Sequence, residues 1–404
     1  MKRNLIMSLI LAAASFLLAG CWDKRELTDL AIVSALGLDI TESGQYVGTF
    51  QIVIPSNVAS GLQGGGGENL PIAVYKAEAD NLIDLHGQLS GKISRQPYYA
   101  HTNVIVISEK LAAEEGIAAV FDGIDRGIEF RNTTKVVIAR GEKAEMVVQT
   151  LTGIDKLPSE KIIKMISLNE LIQGEHFNTR VHDVIHTLVS PGSEPLISGV
   201  SLKGSAEDGN KQENLQSAQL ETAPYANGMA VFKKDKLIGW LDDDLARGTT
   251  WTMDKLLSTN LNLDWKDQKN AIAFQVSRQQ TEVRVDIKHE KPVISIHVQA
   301  EGDIMEVKQA ISLNDPHVLA DIEKEMNKVI EQDILHSVQK VQQYHADVFG
   351  FGEAVHRKDP TYWNKVKKTW DDEMFPSLTV QVNAESFVRR TGLRNKSYWS
   401  SIDS

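Results

Sequence analysis

Cys21 is the residue with the clearest chemistry. It closes the run Leu18-Ala19-Gly20-Cys21. Small residues before a thiol let the backbone enter a peptidase groove, and the thiol can then take a diacylglyceryl group. It is also the single cysteine of the 404 residues, so neither an intrachain disulfide nor a cysteine-rich zinc site is possible. Lys2 and Arg3 give the chain a positive start, and the 15 residues from Leu5 to Ala19 carry no charge. That run falls short of the roughly 20 residues a membrane-spanning helix needs and fits a signal-peptide core. The layout predicts a leader over 1–20 that is removed and a mature chain that begins on a lipidated Cys21; a plain secretory signal with a chance cysteine is the alternative. Cleavage removes two cations and moves the formal net charge from −11 to −13. Two acyl chains anchor a protein stably where one holds it weakly. No later apolar stretch is long enough to span a bilayer.

The next candidate is His182-Asp183-Val184-Ile185-His186. Two histidines four apart on a helix point to one side, the geometry of a zinc pair. The hydrolase motif carries Glu where Asp183 stands, and Asp is one methylene shorter. His176 is a possible third ligand without a recognised spacing, so a solvated or capping role is the preferred reading and no metal is assigned. The glycine-rich stretch Gly61 to Gly67 lacks the Gly-Lys-Ser/Thr of a phosphate cradle and reads as a mobile loop. There is no Gly-x-Ser-x-Gly elbow and no dinucleotide fingerprint, so no catalytic residue and no cofactor is assigned. Carboxylate neighbours such as Glu114-Glu115 and Asp371-Asp372 are expected by chance among 54 acids, and most of them read as solvated surface; a glycosidase pair of acids far apart in the chain stays open. Six tryptophans, Trp240, Trp251, Trp265, Trp363, Trp370 and Trp399, lie in the C-terminal half. Core packing with partnered indole N–H groups is the expected role, an interface patch the lesser one. The acidic balance excludes nucleic acid as the main partner.

The elements that must position these residues alternate. Strands are expected over 31–38, 46–54, 72–79, 104–108, 135–140 and 196–202. Helices are expected over 81–93, 109–121, 142–151, 158–171 and 181–188. Gly204 to Gln216 is polar and serves as the linker candidate. Beyond it come a hairpin (229–232 and 236–241), a helix from Asp242 through Leu257, and strands over 271–276, 282–289 and 293–300. A long helix capped by Asn314 with Pro316 in its first turn then runs to about Val348, and strands over 378–382 and 386–388 close the chain. This predicts an α/β (α+β) multi-domain chain with mixed sheets flanked by helices and a long amphipathic helix near the C-terminus. The expected divisions are a leader (1–20), an N-terminal α/β domain (21–150), a middle region with linker (151–222) and a C-terminal domain (223–395).

Several blocks together resemble one family. They are Cys21-Trp22-Asp23-Lys24-Arg25-Glu26-Leu27-Thr28-Asp29-Leu30, His101-Thr102-Asn103-Val104-Ile105-Val106-Ile107, and Glu129-Phe130-Arg131. Later come Gly228-Met229-Ala230-Val231-Phe232, Leu237-Ile238-Gly239-Trp240-Leu241, Gly248 with Trp251, and Asp347-Val348-Phe349-Gly350-Phe351-Gly352 with Trp363 and Trp370. In this order they resemble the Ger(x)C family, the lipoprotein C subunits of spore germinant receptors. The resemblance implies a non-enzymatic subunit of a nutrient germinant receptor, held by Cys21 to the outer face of the spore inner membrane. Its implied partners are the A and B membrane subunits and the lipid bilayer. Two other readings compete. A solute-binding lipoprotein feeding a transporter predicts a deep pocket between hinged lobes, and a tethered hydrolase predicts acids or His182 and His186 converging on a cleft.

Overall fold

The computed structural model describes residues 26–59, 70–127, 129–289 and 291–392, together with Asn4 and Met7. Cys21, most of the leader and the Gly61–Gly67 stretch lie outside the described residues.

The first sheet is built from β1 (Leu30–Ile40), β2 (Tyr46–Val53), β3 (Ile72–Ala79), β4 (Gln96–Tyr98), β5 (Val104–Ser108), β6 (Lys135–Ala139), β7 (Thr179–Arg180), β8 (Leu196–Lys203), β9 (Ala223–Lys233) and β10 (Lys236–Leu241). Its order is β10-β9-β8-β6-β5-β1-β2-β3, with β4 beside β1 and β7 beside β6. The central strands β1, β5, β6 and β8 are parallel, and antiparallel pairs flank them on both sides. A parallel strand covered on both faces has no wet side, which is why β5 reads Val-Ile-Val-Ile without alternation and is buried throughout. Val104 and Val106 pack in one core and Ile105 and Ile107 in another. Helices Leu82–Ser90, Ala118–Gly127 and Val181–Val189 cover the isoleucine side, and Ala144–Gln149 and Pro158–Ile172 the valine side.

The helix expected over 109–121 is two, Glu109–Glu114 and Ala118–Gly127. Gly116 breaks it at φ 88°, a left-handed turn, and a side chain there would meet Asp235 of the β9–β10 turn. The polar segment 204–216 is a loop with a 3-10 turn at Ala206–Asp208 and a short helix at Glu213–Gln216. The strands it joins, β8 and β9, are hydrogen-bonded neighbours in one sheet.

The second sheet has the order β11 (Thr259–Trp265), β12 (Gln268–Lys288), β13 (Lys291–Val307), β14 (Thr379–Arg390). The strands expected over 271–276 and 282–289 are one 21-residue strand, and the two closing strands are one. The polar stretch Ser277-Arg278-Gln279-Gln280 lies between the two expected strands. The backbone continues through a register shift between Val276 and Arg278, since ladder bonds need no apolar side chain on an open face. Sequence reading also missed β11, although Thr259–Trp265 alternates buried and exposed.

The long helix runs Pro316–Tyr344, 29 residues and ~43 Å. Asp315, not Asn314, caps it, and it ends at His345 in a left-handed turn. Ile322, Met326, Ile330, Ile334, Val338 and Val341 bury its inner stripe. It is the crossover that the parallel pair β13–β14 requires. Its outer residues blunt the sheet edge: Glu331 and Glu323 accept the Ala384 and Val388 backbone N–H groups at 3.0 and 2.9 Å, and Ser386 donates to Asn327 between them. Four helix residues rise about 6 Å and two strand residues about 6.6 Å, so the two ladders stay in step. A single core crosses from sheet to sheet: Leu196, Met229, Val231 and Leu241 of the first pack with Trp251, Ile296 and Ile330.

Candidate functional site

In open α/β sheets ligands bind beyond the carboxyl ends of parallel strands, where the chain switches direction across the sheet. Here that point lies between β1 and β5. The helix N-terminus that would receive an anion there, at Ala144, is already occupied. Asp39 accepts the Ala144 and Glu145 backbone N–H groups at 2.8 and 2.9 Å. Burial pushes its pKa up, and those two donors pull against the rise. A phosphate would have to displace this internal carboxylate. Beside it a cleft of about 750 Å3 is lined by seven acids and three lysines.

One strand further along, Arg140 follows β6. Its guanidinium makes a forked pair with Asp242, donates to Asn227 at 3.2 Å and stacks 4.5 Å from the Trp240 ring centre. The Trp240 indole donates to Glu109 at 2.7 Å, and Glu109 accepts the Gly141 N–H at 2.8 Å. Gly228, at φ 67°, stands where any side chain would enter the Arg140–Asp242 pair. This network ties the ends of β5 and β6 to the β9–β10 hairpin and to the helix Asp243–Thr252 that follows. Asp242 therefore commits its carboxylate to Arg140 and makes no side-chain cap bond to the helix that follows.

The third cluster joins the loop at 190–194 to the C-terminal helices. Asp347 is fully buried and accepts three donors: Phe351 N–H at 3.1 Å, Gly352 N–H at 2.7 Å and the Trp370 indole at 2.9 Å. A Cβ on Gly192 would lie 2.7 Å from the Gly352 Cα, so the two backbones touch and only glycine fits. Glu194 donates its N–H to the Asp347 carbonyl and accepts the Lys234 N–H on its carboxylate. Burial first, then repulsion from Asp371, pushes Glu194 up to about 7; burial pushes Asp347 up to about 7 as well. A cleft of about 660 Å3 lies beside this contact, lined by Phe121, Ile185, Ser193, Glu194 and Asp235 among others.

The metal candidates do not converge. His182 and His186 are exposed on Val181–Val189 with ring centres 6.3 Å apart, and Asp183 accepts the Arg180 N–H at 2.9 Å as a helix cap. His176 is buried against Asn169, and burial lowers its pKa to about 4. Among the described residues no group of three or more His, Cys, Asp or Glu could hold a metal ion. Trp251, Trp363 and Trp370 are core residues, although the Trp251 indole N–H is buried without a partner. Glu114 and Glu115 are exposed as expected. Asp371 is not: one of its oxygens is buried at the third cluster, where only tertiary packing brings Glu194 and Asp347 near it. No spacing in the sequence announces that trio.

A raised acid pKa stabilises the folded state below the unfolded value and loses that contribution as pH rises through the folded value. For Glu194 the window runs from its ordinary value of 4.5 to about 7. Glu194→Gln should therefore match wild type near pH 4 and exceed it by about 2 kcal/mol at pH 8. Urea unfolding at the two pH values checks this, and equal differences at both would refute it.

The residues 23–202 match the family model of the spore germination protein N-terminal domain, and residues 227–392 match that of the spore germination B3/GerAC-like C-terminal domain. The two matches meet across the loop between β8 and β9. The chain is 43% identical to spore germination protein KC of Bacillus subtilis (strain 168) over 397 residues, 98% of each chain. It is 25% identical to spore germination protein B3 of the same organism, over 88% of this chain and 90% of that one. Among solved structures it is similar to the GerBC protein, with a TM-score of 0.55 at 21% identity, covering 88% of this chain and 96% of that chain. That likeness carries the fold: mixed sheets flanked by helices.

Proposed function

The chain belongs to the GerAC-like family of spore germination proteins, and from that premise we propose that it is the lipid-anchored C subunit of a nutrient germinant receptor. The observation that carries the reading is the 43% identity over 98% of both chains with a spore germination protein. Asp39, Arg140 and Asp347 each direct their hydrogen bonds to other parts of the chain and so tie its elements together. The body is then a rigid part that assembles with the A and B membrane subunits at the outer face of the spore inner membrane. Cys21 is the lipidated residue, and tethering there raises the effective concentration of the body beside its partners without any new contact. Among the described residues no helix is long and apolar enough to cross a membrane.

Cys21→Ala is expected to move the protein from the membrane to the soluble fraction of spores and to reduce nutrient-triggered germination to that of a deletion strain. A variant that stays with the membrane, or that leaves the membrane and still supports the full response, contradicts the proposal.

A further inference from the structure

The anchor reading fixes one end of the body in space, and the inference below rests on it. Glu26 is the first described residue after Cys21, so their Cα atoms lie at most ~18 Å apart. β1 enters the sheet at Leu30, which places the amino ends of the parallel strands beside the bilayer. At this same end β2 leaves and β3 enters, because Val53 pairs with Ile72 just beyond the Val33–Ile52 register. A small core of Ile72, Leu151 and Leu157 closes it.

Over that core runs the loop between Leu151 and Leu157. It is pinned: the Lys156 ammonium donates to the Val58 carbonyl at 2.8 Å, and the Thr152 hydroxyl donates to the Asp155 carbonyl at 2.6 Å. At its tip Ile154 is 95% exposed, and Leu70, which precedes β3, is 37% exposed. The two charges of the loop are both engaged, Lys156 on the Val58 carbonyl and Asp155 with Lys164, which leaves Ile154 as its exposed apolar tip. The carboxyl end of the same strands carries the cleft with seven acids and three lysines, which anionic headgroups would repel.

The geometry points to the amino end of the first sheet as a lipid-contact surface, with Ile154 and Leu70 entering the boundary between headgroups and acyl chains. The anchor then holds the body in one orientation, with the acidic strand ends facing away from the membrane. An exposed isoleucine is ordinary on a protein surface. Its meaning here comes from the short tether and the pinned loop.

The occupied Cys21 makes an introduced cysteine the only free thiol. Full-length lipidated protein carrying Ile154→Cys or, in the β1–β2 turn at the opposite end, Ser43→Cys would be labelled with an environment-sensitive dye. Each is bound to vesicles of phosphatidylethanolamine and phosphatidylglycerol in equal parts that contain spin-labelled lipid. Quenching at 154 is expected to be several-fold stronger than at 43. Equal or reversed quenching on vesicle-bound, lipidated protein overturns the contact surface and leaves the anchor standing. Protein whose mass shows no lipid and that fails to float with vesicles overturns the anchor reading and this inference with it.

Discussion

Asp347→Ala is expected to destabilise the protein by about 3 kcal/mol, measured as a drop in the urea midpoint at unchanged slope. The carboxylate is the acceptor for Phe351 N–H, Gly352 N–H and the Trp370 indole, and its removal leaves three donors in a site without water access. The gain from deleting a buried acid near Glu194 and Asp371 offsets part of this loss, which keeps the figure below the sum of three bonds. Asp347→Asn retains one acceptor oxygen and should cost less, about 1–2 kcal/mol. The Trp370 emission should shift in the alanine variant, because its indole loses its partner. An Ala variant with the wild-type midpoint would mean that the cluster does not hold the C-terminal helices to the 190–194 loop.

Gly248→Ala should be comparably damaging for a steric reason. Gly248 lies in the helix Asp243–Thr252 where it crosses the long helix, and a methyl there would overlap the Asp333 carbonyl and lie 2.8 Å from the Ser337 Cβ. A backbone neighbour cannot rotate away, so the two helices must part. Parting them stretches the Thr249–Ser337 hydrogen bond at 2.6 Å and the Arg247–Asp333 pair at 2.8 Å. The cost is about 2–4 kcal/mol. Gly87→Ala is the matched control: Gly87 sits on the exposed face of the helix Leu82–Ser90 with nothing within 4 Å, and the change should stabilise by roughly 0.5–1 kcal/mol. Thermal unfolding of the pair checks both signs, and a harmless Gly248→Ala would show that the helix crossing is looser than drawn.

These two sites mark where sequence reading stops. Gly248 and the Asp347-Val348-Phe349-Gly350-Phe351-Gly352 block were legible as parts of a family pattern, but the pattern does not say why a glycine or an acid stands there. The reason is a contact between segments distant in the chain: Gly248 meets Asp333, Gly352 meets Gly192, and Asp347 meets Trp370. Asp371 departs from its expected surface place for the same cause, since one acid among 54 looks like surface until packing places it beside Glu194. The histidines at 182 and 186 have the spacing of a metal pair, and the fold leaves them on the outer side of a helix without a third ligand among the described residues.

What the residues determined by themselves was local. Periodicity laid out most strands and helices, and the Leu18-Ala19-Gly20-Cys21 run defined the lipidation candidate at Cys21. Only the tertiary structure decided that the polar stretch at 277–280 continues a strand, that β8 and β9 are neighbours across a polar loop, and that Asp39 fills the anion position at the sheet switch point. The physical reason is that side-chain patterning reports which face a segment buries, whereas strand pairing, helix crossing and acid pKa values depend on what the rest of the chain brings into contact.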